Sequence, residues 1–213
     1  IAESATYNPN DPYVNRDPRF TYSIIHNGLS YINNSAVKTI VYTYTSTGST
    51  IANTTADAYT PSNNFTGYFS RKMCDENISN GLAATTERAW PLIRYAEILL
   101  NYAEALNEAQ GAAQVTEILR VVNLVRARAG VAMPALQTIN PAGNAYVAPT
   151  QIELRKRIRN ERRVELCFEE HRFYDVRRWK EGETTFNGPV TGMRITPITA
   201  TTFTYTRFTV DNR

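Results

Sequence analysis

Apolar residues recur at helical spacing in three consecutive stretches of the second half of the chain. Between Trp90 and Gln110, the positions Leu92, Ala96, Leu99, Ala103 and Leu106 step alternately by four and three residues, the period of one helical face; Pro91 suits the first turn and Gly111 supplies a stop. A second helix follows at once, with Val115, Ile118, Val122 and Val125 on one face and Gly130 as its C-terminal signal. Two amphipathic helices joined so closely must pack antiparallel, and Ala96, Ala103, Ala105 and Ala109 permit close approach. After a Pro/Ala/Asn connection over 131–150, a third stretch is entered at Thr150 with Glu153 three residues on, the spacing of a capping box. It runs through Ile158 to Gly182 as one helix or two in succession. Its apolar side (Ile158, Leu166, Phe168, Phe173, Val176, Trp179) seeks a core, while Arg and Glu pair along its flanks, Glu153 with Arg157 and Arg157 with Glu161 among them.

Elsewhere the period is two. Thr21 to Ile25 alternates after a bend fixed at Pro18 and held by Asp17 and Arg19, Lys38 to Tyr44 reads as a strand, and Thr202 to Val210 alternates after turns at Gly188-Pro189 and Thr196-Pro197, an edge strand or hairpin. The remainder of Gly28 to Thr86 is long, polar and irregular, and a loop of that length either does something or packs on something. It carries Tyr31, Tyr42, Tyr44, Tyr59, Phe65 and Tyr68, rings that can stack on the flat face of a ligand or simply cover the helical body. Three regions follow within 1–213: a loop-rich segment with short strands (1–89), a helical scaffold (90–182), and turns with a terminal strand (183–213).

Composition changes this picture little. A formal charge of +3 gives no global pull towards nucleic acid or acidic lipid. The positive charge is carried by 19 arginines against four lysines, and eight of those arginines are concentrated between Arg155 and Lys180 beside many carboxylates, the composition of a salt-bridged helix. Cys74 and Cys167 fit no metal or redox spacing; Cys167, between Leu166 and Phe168, reads as a buried thiol. Asn33, Asn53, Asn64 and Asn77 head N-x-Ser/Thr sequons, which matter only in a eukaryotic secretory protein. No run of apolar residues approaches the ~18 of a spanning helix. With only His26 and His171 and no HExxH, no metal site is expected. Glu161, Glu165 and Glu169 share one helix face, but the arginines around them keep a carboxylate ionised, which suits structure better than general-acid catalysis. No nucleophile elbow, phosphate loop or dinucleotide fingerprint occurs, so no enzyme and no cofactor is expected.

The text of Ile158 to Trp179 resembles the signature of the SusD/RagB-like proteins, nutrient-binding lipoproteins of the Bacteroidota surface. Arg159, Glu161, Arg162, Arg163, Glu165, Leu166, Phe168, Glu169, His171, Arg172, Asp175, Arg177, Arg178 and Trp179 match it, and Glu170 stands where glycine is common. Asn15 to Phe20, Thr66 to Lys72 and Ile93 to Ala105 resemble further family segments in the right order. The resemblance implies a mainly α fold of tetratricopeptide-like hairpins with long irregular loops and a few short strands. It implies the C-terminal half of a longer protein that is lipid-anchored on the outer membrane through a segment outside this chain. It also implies an oligosaccharide or peptide ligand and a SusC-like TonB-dependent transporter as partner. Binding residues in such proteins vary, so the ligand candidates remain the rings Tyr59, Phe65, Tyr68, Tyr42 and Tyr44, and the signature is expected to build scaffold. There Glu161, Glu165, Arg162 and Arg177 would form an internal ion-pair lattice, with Phe173 and Trp179 as apolar anchors.

Overall fold

A computed structural model describes residues 7–32, 38–44, 64–76, 87, 89–139 and 145–211. In chain order it gives α1 (Arg19–Ser23), β1 (Ile24–Ile25), β2 (Ser30–Ile32), β3 (Lys38–Ile40), β4 (Phe69–Ser70), α2 (Tyr95–Gln110), a 3-10 turn (Gly111–Gln114), α3 (Val115–Arg126), α4 (Gln151–Glu165), α5 (His171–Arg178), α6 (Gly182–Phe186), β5 (Val190–Pro197) and β6 (Phe203–Asp211). The fold is mainly helical. Its described residues group into two compact units, one drawn from Ile1–Arg16, Phe20–Ala89 and Val176–Arg213, the other from Asp17–Arg19 and Trp90–Asp175.

The helical unit is built on the α2–α3 hairpin. Ala96 and Leu100, near the start of α2, meet Val125 at the end of α3, and Ala103 further along meets Ile118 and Val122, so the two run antiparallel as the spacing requires. Leu154 and Ile158 of α4 close the same core. The buried face of α2 is Ala96, Leu100, Ala103, Glu104 and Asn107, with Leu99 and Leu106 packed partly buried against the core; of the expected row only Leu92 lies outside it. Residues 90–94 are not helical, and the helix starts only after an extended Arg94. Asn107, fully buried, ties α2 to α4 by donating to the Gln151 carbonyl at 3.1 Å while Gln151 donates back to the Asn107 carbonyl at 2.7 Å.

At the start of α4 half of the capping box is made. Thr150 Oγ1 accepts from the Glu153 amide at 3.3 Å, but the Thr150 amide donates to Ala148 O and the Glu153 carboxylate takes Lys156 instead. The flanking pairs expected at i,i+4 are also redirected, since Arg157 donates to the Tyr146 carbonyl at 3.2 Å and Glu161 turns inward. The charged stretch is two helices, broken between Glu165 and His171 by left-handed residues at Phe168 (φ 61°) and Glu170 (φ 65°). That conformation explains why glycine suits position 170. It also corrects the apolar side: Ile158, Leu166 and Val176 are buried, whereas Phe168 and Phe173 are exposed and Trp179 and Cys167 half-buried. Phe168 lies in the break, beyond the register of α4. Phe173 sits about 200° around α5 from Asp175, which defines that helix's inner face, and pairs edge-on with Tyr174.

The other unit centres on the β5–β6 hairpin, whose antiparallel register pairs Ile195 with Tyr205 and Met193 with Arg207. Tyr44, Met193 and Ile195 form its core. Ser30–Ile32 pairs with Lys38–Ile40, and Ile24–Ile25 pairs with Phe69–Ser70. The expected strand over 21–25 is mostly helix: Asp17 accepts from the Arg19 amide at 3.0 Å, opening the helical turn Arg19–Ser23 that leaves only two residues extended.

The left-handed turn at Glu170 makes a direct prediction. Glu170→Gly removes the steric cost of that conformation and is expected to raise stability by about 0.5–1 kcal/mol in denaturant unfolding. A loss of stability would mean that the Glu170 side chain, not the backbone, holds the break.

Candidate functional site

Two constellations stand out, and each belongs to a single unit. In the helical unit, Glu161 and Glu165 lie one turn apart on α4, each only 1% exposed. A carboxylate buried to that depth is tolerable only when every oxygen has a cationic or hydrogen-bonding partner. Glu161 Oε1 accepts from Arg19 Nη1 at 2.6 Å and Oε2 from Arg126 Nη1 at 2.7 Å. Glu165 Oε1 accepts from Arg128 at 2.5 Å and Arg94 at 3.1 Å, and its Oε2 from Arg19 at 3.1 Å. Arg94 also grips Glu169 in a fork, Nε and Nη2 each at 2.7 Å. A second buried pair joins Arg162 Nε to Asp175 Oδ2 at 2.6 Å, while Arg162 Nη1 donates to Asn101 Oδ1 at 2.5 Å. Arg126 extends the lattice into the connection after α3 through two bonds to the Pro134 carbonyl, and Asn123 pairs like a strand with Leu136.

Burial works against ionising Glu165, yet the bonds from Arg128, Arg19 and Arg94 outweigh it and hold the carboxyl below its usual range. Burial likewise opposes the charge on Asp17, and Arg19 overcomes it with both side-chain and backbone bonds, lowering that carboxyl too. Arg19 keeps its proton more firmly than usual: burial disfavours the charge, but Asp17 and Glu161 more than compensate. Carboxylates held ionised in this way cannot donate a proton to a leaving group at neutral pH.

In the other unit, aromatic rings converge. Tyr13 stacks on His26 at 4.1 Å between centroids, Phe20 stacks on the same imidazole at 5.1 Å, and Tyr68 and Tyr205 meet Tyr13 edge-on. His26 Nδ1 lies 2.9 Å from the Asn27 carbonyl. Burial, aided by the Arg71 charge, makes His26 harder to protonate than usual despite that bond. Tyr42, Tyr44 and Phe203 form an adjoining ring cluster.

One turn in this unit has a different character. Asn64, itself buried, accepts from the amides of Thr66 at 3.1 Å and Gly67 at 3.0 Å. The Thr66 carbonyl takes the Met193 amide of β5 at 2.8 Å. Gly67 (φ 78°) has no room for a Cβ, which would press into the Met193 carbonyl, and a Cβ on Gly192 would meet Thr66 Cα and the Phe208 ring. The turn is therefore locked against the hairpin, and at its tip Phe65 holds its ring 57% exposed. Arg194 lies over the neighbouring Phe208 ring at 5.1 Å.

The ring candidates thus separate. Phe65 presents a surface; Tyr44, 1% exposed, is core, and Tyr42 and Tyr68 are half-buried packing partners of the β5–β6 hairpin. Tyr59 falls outside the described residues. Asn64, which heads one sequon, spends its side chain inside the turn. Of the signature residues, Glu161, Arg162, Glu165 and Asp175 are buried in the lattice; Arg159 and Arg172 are half-buried; Arg163 and Arg177 are exposed; and exposed Arg178 stacks over half-buried Trp179 at 4.9 Å. His171 Nε2 is 3.7 Å from Glu97. Among the described residues no group of three or more His, Cys, Asp or Glu could hold a metal, and no helix is long and apolar enough to cross a membrane. Sequence reasoning missed Arg94, Arg126, Arg128 and Asn101 as lattice partners. A signal existed, because inward carboxylates on one helix demand cations from other elements.

Comparison with known proteins agrees with this architecture. The chain matches the model of the SusD family over residues 2–212, and it belongs to that family. SusD-like protein P2 of Formosa agariphila is 40% identical over 97 residues, 46% of this chain and 18% of that protein. A SusD-like protein from Bacteroides fragilis NCTC 9343 superposes with a TM-score of 0.70 at 31% identity, covering 94% of this chain and 34% of its own. A SusD-like carbohydrate binding protein from the same organism also superposes at 0.70, with 28% identity over all of this chain and 40% of its own. The chain spans less than half the length of each of these relatives.

Two predictions follow from the geometry. Arg162→Ala leaves Asp175 buried without its guanidinium and is expected to cost about 3–5 kcal/mol in denaturant unfolding; a loss below about 1 kcal/mol would show that the pair is not structural. Acid should act in two stages. Folding lowers His26 from its ordinary 6.5, so the folded form resists a proton that the unfolded form accepts, and stability is lost as pH falls below that value. Glu165 and Asp17 are lowered from 4.5 and 3.8, so the stability they lend is complete above those values and disappears as pH falls through the depressed ones. Urea midpoints measured against pH should show both stages, and His26→Gln should abolish only the first. An unchanged midpoint between pH 7 and pH 5 in the parent chain would contradict the role of His26.

Proposed function

We propose that this chain is part of a non-catalytic surface protein that captures oligosaccharides and delivers them to a SusC-like TonB-dependent transporter in the outer membrane, the whole protein being held there by a lipid anchor. Membership of the SusD family supports this reading, as does the likeness to a relative described as carbohydrate binding. The observation that carries it is the exposed ring of Phe65 on a turn whose backbone is held by Asn64 and Met193. The C–H face of a pyranose packs on an aromatic face, and a backbone already ordered loses little freedom on binding. No catalysis is proposed: arginines hold Glu165 ionised, and the oxygens of Glu161 and Glu169 are taken up by arginine hydrogen bonds.

A second reading, a protein-interaction scaffold or peptide binder of the same uptake complexes, is favoured by one feature. Trp90, Leu92, Ile93, Tyr95, Ile98 and Tyr102 form a largely exposed apolar run leading into and along α2. Exposed apolar surface of this extent is characteristic of contact sites.

Isothermal titration against a panel of oligosaccharides and peptides separates the readings. Phe65→Ala is expected to weaken oligosaccharide binding about tenfold while leaving thermal stability within about 0.5 kcal/mol of the parent. Tyr59→Ala in the same panel tests the remaining loop ring. Unchanged affinity in the Phe65 variant would remove that ring from the site, and co-purification with the transporter without any response to sugars would favour the scaffold.

A further inference from the structure

A cavity of about 360 Å³ opens in the helical unit against the first turns of α4, away from the ion-pair lattice. One wall is Glu153, Lys156, Arg157 and Asn160, which at steps of three, four and seven residues share one face of the helix. The other is the segment around Tyr146 and Val147. That segment is fixed: Val147 donates to the Gln137 carbonyl at 2.8 Å, Gln137 donates to Ala145 O at 3.0 Å, and Arg157 Nη2 reaches the Tyr146 carbonyl at 3.2 Å. Val147 is buried in the hydrophobic core, so the floor does not yield. The walls are therefore in place before any ligand arrives.

Their chemistry is selective. Lys156 and Arg157 against Glu153 leave one net positive charge, which favours a single negative group in the ligand. A simple anion does not satisfy the rest: the Glu153 carboxylate, with one oxygen on Lys156 at 2.6 Å, keeps further lone pairs that accept from hydroxyl donors, while the Asn160 amide both donates and accepts. A metal ion is disfavoured by the two cations. Polyol hydroxyls, one carboxylate and a compact ring meet all of these demands, and the volume lies at the small end of the range for ligand pockets.

We infer that this cavity is a subsite for a uronic acid, a pyranose bearing one carboxylate. The choice of a sugar rests on the glycan-binding reading above. The two fail separately, since Phe65→Ala reports on the turn and Lys156→Gln on this cavity.

Backbone amide NMR at low ionic strength, with glucuronate, glucose and inorganic phosphate as probes, tests it. Glucuronate should shift the amides of Tyr146, Ala148 and Asn160 saturably, with both other probes at least about threefold weaker, as expected for a partly exposed charge contact. Lys156→Gln, which removes the net charge, should bring glucuronate down to the level of glucose. Asn160→Leu should abolish both sugars, and far-UV circular dichroism of the two variants should match the parent. Glucose binding as well as glucuronate, phosphate binding as well as glucuronate, or glucuronate shifts confined to other residues would each overturn the proposal.

Discussion

Two buried carboxylates set the terms for the helical unit. Glu161 and Glu165 face inward on α4, where an unpaired charge would cost several kcal/mol, so the chain must deliver cations to both from elsewhere. It does so from three directions: Arg19 from the N-terminal bend, Arg94 from the extended entry to α2, and Arg126 with Arg128 from the end of α3. Each arginine is fixed by the helix or turn that carries it. The lattice therefore dictates where the bend at Asp17, the start of α2 and the end of α3 lie relative to α4. Hydrophobic packing of Leu100, Ile118, Leu154 and Ile158 supplies the bulk of the burial, but apolar contact is not directional. The forked arginine contacts are.

The same lattice removes the most conspicuous carboxylates from chemistry. The oxygens of Glu161 and Glu165 are occupied, Glu165 is pushed the wrong way for acid catalysis, and both carboxylates are almost wholly buried. On the proposed reading, recognition falls to exposed surfaces instead. The Asn64–Gly67 turn is one: two glycines let its backbone lie directly on β5, and the backbone bond from Met193 fixes its height. The backbone that carries Phe65 is thus ordered in advance, which on the proposed reading suits weak ligands such as sugars, whose binding is easily cancelled by the cost of ordering the site.

Much of this was legible in the residues. The α2–α3 hairpin, a charged helical stretch left open as one helix or two, and a final alternating strand follow from period and punctuation, and the signature stretch identified the family that the whole-chain comparison shows. Three of the misses share a cause. Trp90 to Arg94 lies outside α2 because Arg94 is needed, extended, to reach Glu165 and Glu169; the Arg157–Glu161 pair on α4 dissolved because Glu161 found partners 142 and 35 residues away. Phe173 faces out because Asp175, held by Arg162, claims the inner face of α5. In each case a long-range charge contact overrode a local preference worth a few tenths of a kcal/mol. The ring candidates were legible as a set but not individually, since Tyr44 and Phe65 have equal aromatic character and only the tertiary fold buries one and exposes the other.

The central claim is that the scaffold and the recognition surface are separate, with the sugar meeting the ring on the locked turn. Intermolecular NOEs between a bound oligosaccharide and the aromatic protons of Phe65 test this most directly. Cross-peaks from the C–H face of a sugar ring to Phe65 are expected. Cross-peaks only to other rings, such as Trp90 or Tyr95 beside α2, would contradict it.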